Sequence, residues 1–108
     1  VIVLENGKNV FPEEIEEYLD TIDTISEVCV IGRKSADSDE VVLTAVVYPD
    51  YSKFPKDVDD ATVKEAIRKA INATNKRLPS YKQIKAVEVR KTEFEKTTTK
   101  KIKRQLVK

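Results

Sequence analysis

The residues able to do chemistry are concentrated near the end of the chain. Lys96-Thr97-Thr98-Thr99-Lys100-Lys101-Ile102-Lys103-Arg104 sets several cations among a run of hydroxyls, with no glycine. Such a loop suits a phosphate or carboxylate partner, because ammonium and guanidinium groups make charge-assisted hydrogen bonds to both. A solvated basic tail is the other reading of the same charge run. A nucleic-acid surface would need aromatic platforms beside the cations, and only Phe94 is near. A second segment, from Asn6 to Glu16, places Gly7 beside Glu13, Glu14 and Glu16. A tight turn needs glycine and a helix start favours acid, so these residues also have a plain structural explanation. The glutamates lack the spacing of a calcium loop. A third segment runs from Pro79 to Lys85.

The composition narrows the chemistry further. The chain has no histidine, which removes the commonest general base and metal ligand. With Cys29 as the single cysteine, a zinc site and an internal disulfide are both excluded. One cysteine, in an apolar stretch that reads as core, suits a reducing compartment such as the cytoplasm. Net charge is +1, from 20 basic and 19 acidic residues, which makes no case for nucleic acid or membrane binding. The balance is local, however. Lys91, Lys96, Lys100, Lys101, Lys103, Arg104 and Lys108 face only Glu93 and Glu95 over the last stretch.

The 108 residues make one domain, with 40% hydrophobic residues for one small core. Ligand pockets of roughly 300–1,000 Å³ usually need a cleft. A domain this small would therefore work on a sizeable substrate at an interface. No stretch approaches the ~20 apolar residues of a bilayer span, and Val1 to Leu4 is too short for a signal peptide. The absence of a starting Met points to a piece of something longer.

The elements that must position these residues follow from periodicity and turn chemistry. Val1 to Leu4 and Lys8 to Phe11 read as strands joined by Asn6-Gly7, a two-residue hairpin signal. Pro12 opens a helix at its first position, with Ile15, Leu19 and Ile22 on its apolar face. Ser26 to Arg33 reads as a strand with Val28, Val30 and Ile31 inward, and Ser35 to Glu40 as a polar loop. Val41 to Pro49 reads as a strand buried on both faces. Thr62 to Glu65 fits a capping box. Val63, Ala66, Ile67, Ala70, Ile71, Thr74 and Leu78 then follow at helical spacing to Leu78-Pro79. Ile84 to Arg90 is a further strand. Lys100 to Lys108 is expected to form a short helix, with Ile102 and Leu106 four apart. The order is β-β-α-β-β-α-β-α. The fold class is α+β: a small sheet, an N-terminal β-hairpin, two amphipathic helices packed on the sheet and a short C-terminal helix.

Taken together, the three segments resemble the C-terminal domain of adenylate-forming (AMP-forming) acyl-CoA synthetases. Gly7-Lys8-Asn9-Val10-Phe11-Pro12-Glu13-Glu14-Ile15-Glu16 is similar to that family's motif after the interdomain hinge. The run from Val1 to Glu16 looks most like bacterial long-chain fatty-acid CoA ligases. Leu78-Pro79-Ser80-Tyr81-Lys82 resembles the link from the last long helix to the next strand. Lys96-Thr97 followed by Lys101-Ile102 and Arg104 is similar to the family's Pro-Lys-Thr-x-x-Gly-Lys-Ile-x-Arg. Glu95 stands where the family usually has Pro, and Lys100 where it usually has Gly. The resemblance covers essentially the whole chain. A stand-alone α+β interaction or regulatory domain with a basic tail is the alternative from another class.

The resemblance implies a lid that serves two steps. A fatty-acid carboxylate attacks the α-phosphate of ATP, which travels with Mg2+, to give acyl-adenylate and pyrophosphate. The thiol of CoA then displaces AMP. By resemblance Lys101 is the adenylation lysine. A lysine in water is protonated at neutral pH, so it would act as a fixed cation on charge that builds in the transition state. The hairpin at Gly7 and Lys8 would reach the pantetheine tunnel after the lid turns. Tyr81, Lys82 and Lys85 fall where some members contact the CoA nucleotide; a stacking ring and cations suit an adenine with phosphates. The resemblance further implies that ATP, CoA and the acyl chain are held mainly by an N-terminal domain of the same enzyme, absent from these 108 residues. The chain alone would be inactive. Peripheral membrane association of the full enzyme is compatible with it.

Overall fold

The computed structural model of the chain describes every residue except 5, 6, 35, 36, 38, 100, 104, 105 and 108. Strand β1 (Ile2–Val3) pairs antiparallel with β2 (Asn9–Val10), Ile2 opposite Val10. Leu4 N–H donates to the Lys8 carbonyl at 3.0 Å and Gly7 N–H to the Leu4 carbonyl at 2.9 Å. The loop therefore spans the three positions between Leu4 and Lys8, one more than the expected two-residue turn. Three-residue hairpin loops place a left-handed residue last, and Gly7 has φ +80°. A Cβ there would meet nothing within 4 Å, so the backbone angle and not space demands glycine. Asn6 lies outside the described residues.

Helix α1 (Pro12–Leu19) begins with Pro12, as its fixed φ favours. It buries Ile15 and Leu19 and ends at Asp20, so Ile22 packs from the following turn. Strands β3 (Ile25–Lys34) and β4 (Val41–Pro49) are antiparallel, and β5 (Ala86–Val89) lies parallel to β4. A parallel pair needs a crossover, which helix α2 (Asp60–Asn75) provides. Its cap is Asp59, whose carboxylate accepts the Thr62 N–H at 2.8 Å. The expected capping box at Thr62 thus lies inside the helix; an Asp placed three residues earlier captures that donor first. The bond from Thr62 holds the Asp59 carboxyl below its ordinary range. The helix stops at Asn75, short of Leu78, because a residue before proline is disfavoured in helical geometry.

The sheet order β3-β4-β5 leaves β4 in the centre. Val28, Val30, Leu43, Ala45 and Val47 face the helices and pack with Ile15, Leu19, Val63, Ile67 and Ile71. Burying each such side chain contributes about 1.5–3 kcal/mol for the larger ones, so this face carries most of the stability. On the other face Cys29, Val46 and Phe94 are buried, bordered by Ile31, Tyr48, Ile102 and Val107. Both faces of Leu43 to Val47 are covered, as the apolar run in β4 predicts. Strand β3 shifts register between Ile25 and Glu27. The extra residue lets Ile25 and Val28 share the helix face while Glu27 turns to the other side, a usual effect of a bulge. Gly32 lets the hairpin lie on β3: a Cβ there would meet the Ile2 side chain at 2.9 Å.

The short helix expected over Lys100 to Lys108 needs correction at Ile102. Lys100, Arg104, Gln105 and Lys108 lie outside the described residues, but Ile102 forms an antiparallel bridge with Lys96. The chain is extended at Ile102, and further on Leu106 N–H donates to the Lys103 carbonyl at 3.0 Å in a helical turn. An extended path carries Ile102 onto the second-face cluster, which a helix beginning at Lys100 would not do.

Candidate functional site

Lys101 sits in a closed loop. Thr97 N–H donates to the Lys101 carbonyl at 2.8 Å, Lys101 N–H to Thr97 Oγ1 at 3.3 Å, and Lys103 N–H to the Glu95 carbonyl at 2.7 Å. Thr97 and Thr99 share a hydroxyl contact at 2.9 Å. Ile102 turns inward while Lys101 stays exposed. The hydroxyls of Thr97 and Thr99 therefore brace the loop. Glu27 ties this segment to the sheet. Its carboxylate accepts the Phe94 N–H at 3.2 Å and pairs with the Lys96 ammonium at 2.5 Å. That bond holds the Lys96 ammonium above its ordinary range. Arg90 stacks over the Phe94 ring and donates to the carbonyls of Thr92 and Glu93, closing the approach to the loop.

Lys101 lines an open groove of about 480 Å³ with Glu13, Glu16 and Asp20 of the first helix and Ser26, Glu27 and Val28 of β3. Glu16 Oε2 accepts the Val30 N–H at 2.7 Å, which fixes α1 to the sheet edge. Burial, then the nearby charges of Glu16 and Glu17, push the Asp20 carboxyl above its ordinary range. Among the described residues Lys101 makes no ion pair. A cation thus stands at the rim of an acidic wall that sequence reading did not find. The signal was present: Glu13, Glu16 and Asp20 share one helix face, beside that of Ile15 and Leu19. Among the described residues no group of acidic or sulfur side chains is disposed to hold a metal ion, so no role on this chain is assigned to Mg2+.

The other candidate residues come together elsewhere. The Lys8 ammonium lies 4.9 Å from the Tyr81 ring centre, and the Lys82 ammonium 5.7 Å from it. Lys82 also pairs with Glu14 at 3.2 Å, which raises its pKa above the ordinary lysine value. Lys85, Tyr81, Leu4 and Val41 line a cavity of about 220 Å³. Gly7 stands at the tip of the same hairpin as Lys8. The connection carrying Tyr81 is pinned by Asn75, whose side chain bonds both the carbonyl and the N–H of Ile84, at 3.0 and 2.8 Å. Gln83 adds bonds to the carbonyls of Asn75 and Leu78. A ring flanked by cations can stack a base and hold a phosphate.

The two sites lie at opposite ends of the β3–β4 ladder. Leu43 lines the Tyr81 cavity, whereas Val28, the partner of Val47, lines the Lys101 groove. Four strand residues separate these levels, about 13 Å at ~3.3 Å per residue.

The described residues form an α+β domain with two open candidate surfaces, one around Lys101 and one around Tyr81. A family model for the C-terminal domain of AMP-binding enzymes matches residues 1–108, and the chain belongs to that family. Among solved structures it is similar to a fatty acyl CoA synthetase of Mycobacterium tuberculosis, at 27% identity, TM-score 0.63, 96% of this chain and 18% of that one. It is also similar to an anthranilate CoA ligase in complex with anthranoyl-AMP, at 25% identity, TM-score 0.73, over 96% and 18%. The adenylation and carrier didomain of a carboxylic acid reductase from Segniliparus rugosus shares the fold, with TM-score 0.78 at 22% identity, over 96% and 15%. The chain thus spans less than a fifth of each of these proteins. No curated protein matches it.

Proposed function

We propose that this domain is the lid of a long-chain fatty-acid CoA ligase, which converts ATP, fatty acid and CoA to acyl-CoA, AMP and pyrophosphate through an acyl-adenylate. The observation that carries the reading is the exposed Lys101 on a loop locked by Thr97 and anchored by Ile102. A cation fixed in this way can meet the charge that grows between carboxylate and α-phosphate without reorganising at the moment of reaction. The second surface, with Gly7, Lys8, Tyr81, Lys82 and Lys85, serves the CoA step. Its place at the other end of the ladder from Lys101 supports a lid that turns between steps. The long-chain preference rests on the resemblance of Val1 to Glu16 and on likeness to a fatty acyl CoA synthetase. The ATP, the fatty acid and most of the CoA belong to an N-terminal domain of the same enzyme. The enzyme is cytoplasmic on this reading, in keeping with a lone buried cysteine. No helix among the described residues is long and apolar enough to cross a membrane.

The test is Lys101→Ala in the full-length enzyme. ATP–pyrophosphate exchange is expected to fall by about 100- to 1,000-fold, the usual effect of removing one charge-stabilising donor. Thioester formation from supplied acyl-adenylate is expected to persist. Normal exchange in that variant would sink the assignment.

A further inference from the structure

We propose that Glu27 is a positioning residue for Lys101 in the adenylation step; the inference rests on the role proposed for Lys101. The path between them is short and continuous. Glu27 holds Lys96 through its charge and Phe94 through its backbone N–H. Lys96 pairs across the loop with Ile102, the residue after Lys101. Phe94 and Ile102 both pack on the cluster around Cys29 and Val46. One carboxylate thus fixes the strand entering the loop, and that strand fixes the strand leaving it.

The environment of Glu27 suits this task. Its side chain is 16% exposed and that of Lys96 28%, so the pair is largely shielded from competing water. Removing one partner of such a pair leaves the other poorly solvated, which makes its loss felt. Unbroken alternation from Glu27 through Cys29 sets the carboxylate on the Lys101 side of the sheet, while the bulge before it returns Ile25 to the helix face. Glu27 also lines the same groove as Lys101, so its placement is local to the cation it serves.

Two properties separate positioning from general support. A lysine that acts mainly on the transition state, when displaced, lowers kcat and leaves KM nearly unchanged. A residue that acts through Lys101 also loses its effect once Lys101 is gone.

The experiment uses the full-length enzyme with Glu27→Gln, Lys96→Met, Lys101→Ala and the double variant Glu27→Gln/Lys101→Ala. Glu27→Gln keeps an acceptor for the Phe94 N–H and removes the charge that holds Lys96. ATP–pyrophosphate exchange is expected to fall at least about ten-fold in Glu27→Gln, toward the ~100-fold that a 1 Å misplacement costs. KM for ATP should stay within about two-fold, as for an interaction made only in the transition state. Lys96→Met should reproduce this loss. Thioester formation from supplied acyl-adenylate should be unchanged in both, which also shows that the variants fold. The double variant should be no slower than Lys101→Ala alone. Normal exchange in Glu27→Gln overturns the inference, and so does a double variant whose losses multiply. Normal exchange in Lys101→Ala instead overturns the proposed function, and this inference falls with it.

Discussion

The two faces of the central sheet are held by different means. The helix face is a continuous apolar core in which Ile15, Leu19, Leu43, Ile67 and Ile71 are almost wholly excluded from water. The other face has a small buried cluster of Cys29, Val46 and Phe94 with Thr44 beside Val46, and it relies on polar ties: Glu27 to Lys96, Thr97 to Lys101, Lys103 to Glu95. Apolar burial scales with area, so the first face sets whether the chain folds. Hydrogen bonds and shielded ion pairs add little net stability but fix geometry. Lys101, the lysine proposed to act in adenylation, sits on the face built for geometry. That face can be disturbed with less risk to the fold.

The largest effect is therefore expected from Ile67→Ala on the helix face. Ile67 is fully buried, and truncating such a residue costs about 2–5 kcal/mol. Urea denaturation followed by far-UV circular dichroism should show the whole transition shifted to lower urea. A loss under about 1 kcal/mol would mean that the helix face does not dominate stability as argued.

Phe94→Ala disturbs the other face and tests whether the two faces open together. Phe94 is the largest side chain in the small cluster, and its removal frees both Ile102 and the stacked Arg90. Hydrogen exchange should then accelerate at the amides of Thr97 and Lys103 more than at those of Ile67 and Ile71. A ten-fold excess would correspond to roughly 1.4 kcal/mol of local opening. Equal acceleration at all four amides would merge the faces into one cooperative unit and undo the comparison.

The same contrast decides what could be read from the sequence. Features set by neighbours along the chain were legible. Pro12 marked a helix start, Val41 to Pro49 marked a strand covered on both faces, and Gly7 marked a left-handed turn. The motif singled out Lys101, and the structure places it exposed on a braced loop; its role is a proposal. Features set across long separations were not. Glu27 looked like one polar residue in a strand because its partner Phe94 lies 67 positions away. Ile102 and Leu106 kept helical spacing, yet packing on the sheet made Ile102 extended. Thr62 to Glu65 met the rule for a capping box, and Asp59 met the stronger one first. The gathering of Tyr81, Lys8 and Lys82 needed the Asn75 clamp, which no local pattern announces.

The smallest predicted effect lies where the two faces meet. Asp20 ends α1 on the helix face and also walls the Lys101 groove. Its carboxyl is pushed up first by burial and then by Glu16 and Glu17, and the negative end of the helix dipole disfavours it as well. A carboxyl with a raised pKa binds its proton more tightly folded than unfolded. Stability therefore falls as pH rises from the unfolded value near 3.8 through the folded one. Above that window the full penalty remains; below it the penalty is absent. Asp20→Asn removes the charge, so it should stabilise the chain at pH 7, and the gain should vanish near pH 3. Because Asp20 is largely exposed, solvent screening holds the gain to about 0.3 kcal/mol. The measurement is the difference in urea midpoint between the two proteins at several pH values, in which the other titrating groups largely cancel. A difference that does not depend on pH would mean that Asp20 feels no net repulsion. Lys101 would then have to lie close enough to the acidic wall to offset the repulsion from Glu16 and Glu17.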